Sequence, residues 1–265
     1  MMELIEMNNM AVCALQHGRP KKAHDLLSTA LSSIKDHFAK RQQEVVQKST
    51  MPTPPGLPAP SPPLSVETSH LQLQIPICVS SLSLGTEFGS SDDDRSFGMD
   101  TEEDNELKVP SVFSVTGGVV SSLNDGLVLN YNKSLMVLHS LNDLDVLTSV
   151  VLYNIAIVKH GRAMERGSST LLTEALRFYK MATHVIKSKQ DIDRASDYVL
   201  LVSYHNMAHI YSSRFCPAEM SGCFDAARFL LAQESTQQFL DEDDMEFFAM
   251  GVLLDDHKIQ FAPAA

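Results

Sequence analysis

At 265 residues and 44% hydrophobic content, the chain is long enough to bury a sizeable core in one or two domains. A formal charge of −12 argues against nucleic-acid or anionic-membrane partners, which need a basic face. Four scattered cysteines, Cys13, Cys78, Cys216 and Cys223, suit free thiols in a reducing compartment better than a disulfide framework.

The first residues lack the basic-then-apolar layout of a secretion signal. No uninterrupted apolar run approaches the roughly eighteen residues of a membrane span. A cytoplasmic protein is expected, with the nucleus also open to it.

Residues 1–48 read as a first helix pair. Leu4, Met7, Met10, Ala11, Ala14 and Leu15 recur at helical spacing and stop at Gly18-Arg19-Pro20, a stop followed by a restart. Ala23, Leu26, Leu27, Ala30, Leu31, Ile34 and Phe38 then share one face of a second helix. Residues 49–108 form a linker expected to be disordered. Seven of the twelve prolines fall within 52–63, and 87–106 holds nine acids against Arg95 alone. One short β-leaning stretch, 71–79, interrupts it.

Residues 109–138 have the composition of a β-hairpin. Strands are predicted at 109–120 and 127–137, around the turn Asn124-Asp125-Gly126. Asn132-Lys133-Ser134 matches a glycosylation sequon that an intracellular chain leaves unused. Residues 139–258 are predicted to hold two further helix pairs and a C-terminal helix, ahead of a tail at 259–265. The first of these pairs, 148–189, turns through a polar loop near 162–170. In the second, one long helix or two short ones within 191–213 lead to a loop around Cys216-Pro217 and Gly222, and a helix follows at 226–240. The last helix, 245–254, starts behind the acids of 241–244.

Three segments share a register: Asn9-Met10-Ala11, Asn154-Ile155-Ala156 and Asn206-Met207-Ala208. Each lies in an apolar-periodic helix and is followed by a loop and a helix with a small residue in its early turns. Small residues at fixed places mark where two helices cross closely. Here the chain resembles the tetratricopeptide repeat (TPR) family. Asn9, Ala11, Gly18, Ala23, Leu27, Ala30 and Leu31 match its first copy, and Leu152, Asn154, Ala156, Ala175, Tyr179 and Ala182 match a second. Asn206, Ala208, Tyr211 and Ala227 match a third. The interval from Asn154 to Ala175, and from Asn206 to Ala227, exceeds that from Asn9 to Ala23 by seven residues, assigned here to longer loops. The YNIA-type helices, the long insertion and the APAA ending are also similar to a set of algal TPR-like proteins.

The resemblance implies a mainly α fold, a TPR-like superhelix of about three helical hairpins. It also implies a concave groove lined by Val150, Tyr153, Asn154, Ile157, His205, Asn206 and His209. The apolar Val150 and Ile157 stand where carboxylate-clamping relatives place lysines, so the groove suits an apolar helix or an extended segment. The insertion 71–138 is long enough to fill it from within.

Other constellations are less specific. His205 and His209 lie one helical turn apart, and with Cys216 and Cys223 they form the donor set of a zinc- or histidine-dependent enzyme. Asn206 stands where a zinc hydrolase needs glutamate, and the two cysteines are spaced too widely for a structural pair. Pro55-Gly-Leu-Pro58 and Pro60-Ser-Pro-Pro63 have PxxP spacing but suit a stiff spacer better. Ser90, Ser91 and Thr101 precede acids, as acid-directed kinases prefer. No nucleophile elbow, P-loop or dinucleotide loop occurs. The sequence therefore points to a non-enzymatic interaction module or adaptor for a protein or peptide, with no cofactor or metal. A structural subunit of an intracellular complex is the other non-enzymatic expectation.

Overall fold

The computed structural model describes residues 1–49, 113–116, 130–138, 141–189, 194–237 and 240–256. The proline run, the acidic tract, the stretch 71–79, the turn at 124–126 and the tail lie outside the described residues, as do the PxxP and phosphorylation motifs. The helical body is made of Met1–Lys48 with Lys108–Ala265, a division that leaves out Ser49–Leu107.

Among the described residues the protein is mainly helical. The order is α1 (Met2–Gln16), α2 (Pro20–Ser49), β1 (Phe113–Thr116), β2 (Ser134–Val137), α3 (Leu144–Arg166) and α4 (Ser169–Lys187). Then come α5 (Arg194–Ser213), α6 (Pro217–Leu231), the single turn α7 (Glu234–Gln237) and α8 (Glu242–Asp256). The strands pair antiparallel, with Thr116 opposite Ser134 and Phe113 opposite Val137.

Local chemistry explains the helix ends. Asp143 caps α3 by accepting from the Asp145 and Val146 amides at 2.8 and 3.1 Å, and it also receives Lys189 Nζ at 2.6 Å. Proline, which has no amide hydrogen to waste, opens both α2 and α6. The helices α1, α3 and α5 all end on a residue in the left-handed region: Gly18 (φ 66°), Gly167 (φ 61°) and Phe215 (φ 55°). Each cap lets the following amide reach back to the last turn: Arg19 to Ala14, Ser168 to Ala163 and Cys216 to Tyr211. Phe215 is the one non-glycine residue among them.

The seven extra residues are helix, not loop. In the α3–α4 pair, α3 runs five residues further past its asparagine than α1 does, and α4 begins three residues earlier before Ala175. Only Gly167 and Ser168 separate the two helices, so the loop expected near 162–170 is mostly helix. In the α5–α6 pair all seven are added at the front of α6, which therefore starts at Pro217 rather than near 226. Seven residues are about two turns, so the apolar face is kept while the height along the helix shifts. Ala227 consequently sits two turns deeper in α6 than Ala23 does in α2. The two alanines match in face but not in height.

Helix α3 packs on α4, α4 on α5, α5 on α6 and α6 on α8, while α1 and α3 both touch β2. The crossing residues Ala11, Ala23, Ala30, Ala156, Ala175, Ala182 and Ala208, together with Tyr179, are fully buried. By length and composition α3 could cross a membrane, but 78% of its most apolar window is buried inside the helical body.

Candidate functional site: asparagines that hold an extended segment

In an extended chain, the amide and carbonyl of one residue point to the same edge, and residues two apart share that edge. Residues 131, 133, 135 and 137 turn this edge toward the helices. Asn206 of α5 accepts from the Tyr131 amide at 3.0 Å and donates to its carbonyl at 2.8 Å. Asn154 of α3 does the same to Leu135, at 2.9 and 2.8 Å. Asn9 of α1 does it to Val137, at 2.8 and 2.7 Å. Between them, the Tyr153 hydroxyl donates to the Lys133 carbonyl at 3.0 Å.

Asn8 ties the ladder together. It donates to the Leu135 carbonyl at 3.0 Å and accepts from Asn154 at 2.9 Å. Six residues of extended chain cover about 20 Å, roughly two helix-to-helix spacings, so one segment can meet three neighbouring helices. Ser134 and Met136 present the opposite edge, where β1 lies.

The odd-numbered side chains share the inward face. Tyr131, Leu135 and Val137 are fully buried. Lys133 Nζ lies 2.7 Å from Asp244, a carboxylate of α8 that is only 1% exposed. The Tyr131 hydroxyl donates to the other oxygen of Asp244 at 3.1 Å and lies 2.9 Å from the Tyr198 hydroxyl. Its ring packs on Phe248 and Phe247, with centroids 4.7 and 5.4 Å away. Burial raises the Asp244 carboxyl above its ordinary range, while Lys133 and Tyr131 pull it back. Burial also holds the Tyr131 and Tyr198 hydroxyls far above the ordinary phenol range, so both remain protonated.

Of the expected groove residues, Tyr153, Asn154 and Asn206 bond the segment, whereas Val150 and Ile157 are buried in the helical body. The two histidines face elsewhere. His209 Nδ1 meets His160 Nε2 at 3.0 Å, and His160 Nδ1 meets the Tyr179 hydroxyl at 3.3 Å. Burial lowers His209 to about 4 and holds His160 well below its ordinary value, helped by His209 itself. The His205 ring packs among Phe247, Phe248 and Phe224. It sits so close to Gly251 that an added Cβ there would come within 2.6 Å of it.

The zinc donor set suggested by the sequence does not assemble. Among the described residues, no three His, Cys, Asp or Glu side chains are grouped to hold a metal ion. Burial pushes the Cys223 thiol up to about 11, against thiolate formation.

Asn9, which the sequence marks only as part of the repeat register, grips Val137 with its side-chain amide. Lys133 and Asp244 enter the sequence reading only through a sequon and an acidic helix start, and Asn8, Tyr131 and His160 are given no role in it. The alternation Tyr131-x-Lys133-x-Leu135-x-Val137 was available as a signal, but the lysine among buried positions disguised it. Its acid partner lies 111 residues away.

No protein-family model, curated protein or solved structure matches the chain.

Proposed function

We propose that the chain is a TPR-like interaction module whose groove binds an extended polypeptide segment through its backbone, with residues 131–137 occupying that groove in cis. The observation that carries this reading is the repeated use of one residue. The asparagines of three sequence-related helices each take both backbone groups of one residue on the same extended segment. An amide that donates and accepts side by side mimics the edge of a neighbouring strand, so binding resembles strand addition made by side chains. The absence of any catalytic motif in the sequence agrees with an adaptor rather than an enzyme.

The test uses the full-length chain carrying Leu135→Pro, which removes the amide that Asn154 accepts from. A fluorescent peptide spanning residues 129–138 should bind this variant. Adding Asn206→Ala or Asn154→Ala should abolish binding. Failure of the peptide to bind, or binding indifferent to both asparagines, would refute the groove reading.

A further inference from the structure

We propose that the groove selects its occupant by a tyrosine and a lysine two residues apart, read by Tyr198, Phe247, Phe248 and Asp244, so that any segment able to compete must carry Tyr-x-Lys followed by apolar residues at the next two alternate positions. This deepens the groove reading and rests on it.

Backbone clamping alone is blind to sequence and also to register. Sliding the segment by two residues would return an amide and a carbonyl to each asparagine and keep every side chain on its own face. Something other than the ladder must fix which residue meets Asn206.

The two ends of the groove differ in what they offer. At the α1 end only the outward side is open, where Leu138 is 37% exposed and a recess of about 740 Å³ beside Asn9 is lined by Met10, Cys13, His17 and Met136. The inward Leu135 and Val137 are fully buried, which calls for apolar side chains without singling out one. At the α5–α8 end it is closed, with Tyr131 fully buried and Asp244 1% exposed. Asp244 uses both oxygens on the segment, Oδ1 on Lys133 Nζ at 2.7 Å and Oδ2 on the Tyr131 hydroxyl at 3.1 Å. Its own place is fixed by its amide, which donates to Asp241 at 2.7 Å in the first turn of α8.

Slipping by two residues toward α5 would set Lys133 between Phe247 and Phe248 and Leu135 against the carboxylate. Leucine there would leave Asp244 Oδ1 without the ammonium now 2.7 Å away, and lysine in the tyrosine's place would forfeit the ring packing on Phe247 and Phe248 and the 2.9 Å hydroxyl contact with Tyr198. The register therefore follows from side-chain chemistry at one end, and so does the identity of an acceptable ligand.

The experiment compares peptides on the full-length Leu135→Pro chain by fluorescence anisotropy. The 129–138 peptide is measured beside versions carrying Lys133→Glu, Lys133→Met or Tyr131→Ala. The expected result is a loss of about thirtyfold or more in affinity for each version. Equal binding of all four peptides would overturn the Tyr-x-Lys rule while leaving the groove reading intact. No binding by any peptide would overturn both.

A second measurement needs no peptide. In the otherwise unaltered chain, Lys133→Gln should speed hydrogen exchange at the Leu135 and Val137 amides, and Lys133→Gln with Asp244→Asn should restore their protection. Unchanged exchange in the single variant would also overturn the rule.

Discussion

Asn154 grips Leu135 by both of its backbone groups, with the amide oxygen 2.9 Å from the Leu135 nitrogen and the amide nitrogen 2.8 Å from the Leu135 oxygen. All of these atoms belong to buried residues. Asn154→Ala should leave the Leu135 amide without its acceptor, at a cost of about 2 kcal/mol or more. Asn154→Asp keeps the shape and the acceptor but loses the donor to both Leu135 and Asn8, so it should fare no better. Chemical denaturation measures both, and a tolerated aspartate would show that shape rather than paired hydrogen bonding holds the segment.

The buried imidazoles set an acid limit on stability. One consistent proton arrangement runs from the Tyr179 hydroxyl into His160 and from His160 into His209, with both rings neutral. Both rings are depressed below the ordinary value of 6.5, and His209 reaches about 4. Between those values the unfolded chain binds more protons than the folded one. The contribution is therefore fully present above pH 6.5 and is lost as the pH falls toward 4. For His209 alone the effect is on the order of 3 kcal/mol. Melting temperatures measured from pH 7 to pH 4.5 should fall, and His209→Gln should flatten the slope even though it lowers stability at pH 7.

Phe215 is a bulky residue in backbone geometry that favours glycine, and its side chain is 87% exposed. Gly18 and Gly167 fill the same role at the ends of α1 and α3. Phe215→Gly removes the left-handed strain and gives up little burial, so it should stabilise the protein by about 0.5–1 kcal/mol. A lower melting temperature would mean that the exposed ring contributes packing after all.

Two substitutions probe buried small residues on packed helix faces. Ala156→Leu and Ala175→Leu each add three carbons at fully buried positions and should cost about 1–3 kcal/mol. Gly251→Ala pushes a methyl to within 2.6 Å of the His205 ring, which three phenylalanines confine, and should cost a comparable amount. Thermal melts report all three.

Helical periodicity and turn chemistry made the helix pairs legible, because the 3.6-residue repeat and stops such as Gly18-Arg19-Pro20 act within one element. The seven-residue surplus was visible too, but its placement was not. Two helical turns and a seven-residue loop preserve the same spacing of apolar faces, and only the position of Pro217 as a helix start separated them. The asparagines stood out through their shared register. What they bind was hidden because Lys133 and Asp244 become meaningful only as a pair, and the fold alone brings α8 to the segment. The histidines misled because one helical turn of spacing fits a metal site and a buried core face equally well.

The bonds from Asn8 and Asn9 to Leu135 and Val137 also bear on how the chain is made. The ribosome delivers α1 and α2 first, yet the residues that α1 grips arrive only after about ninety more have been added, on the order of ten seconds at ordinary elongation rates. Until then the Asn8 and Asn9 side chains lack the backbone partners they hold in the finished protein. A chain ending before residue 131 would therefore lack every bond of the asparagine ladder.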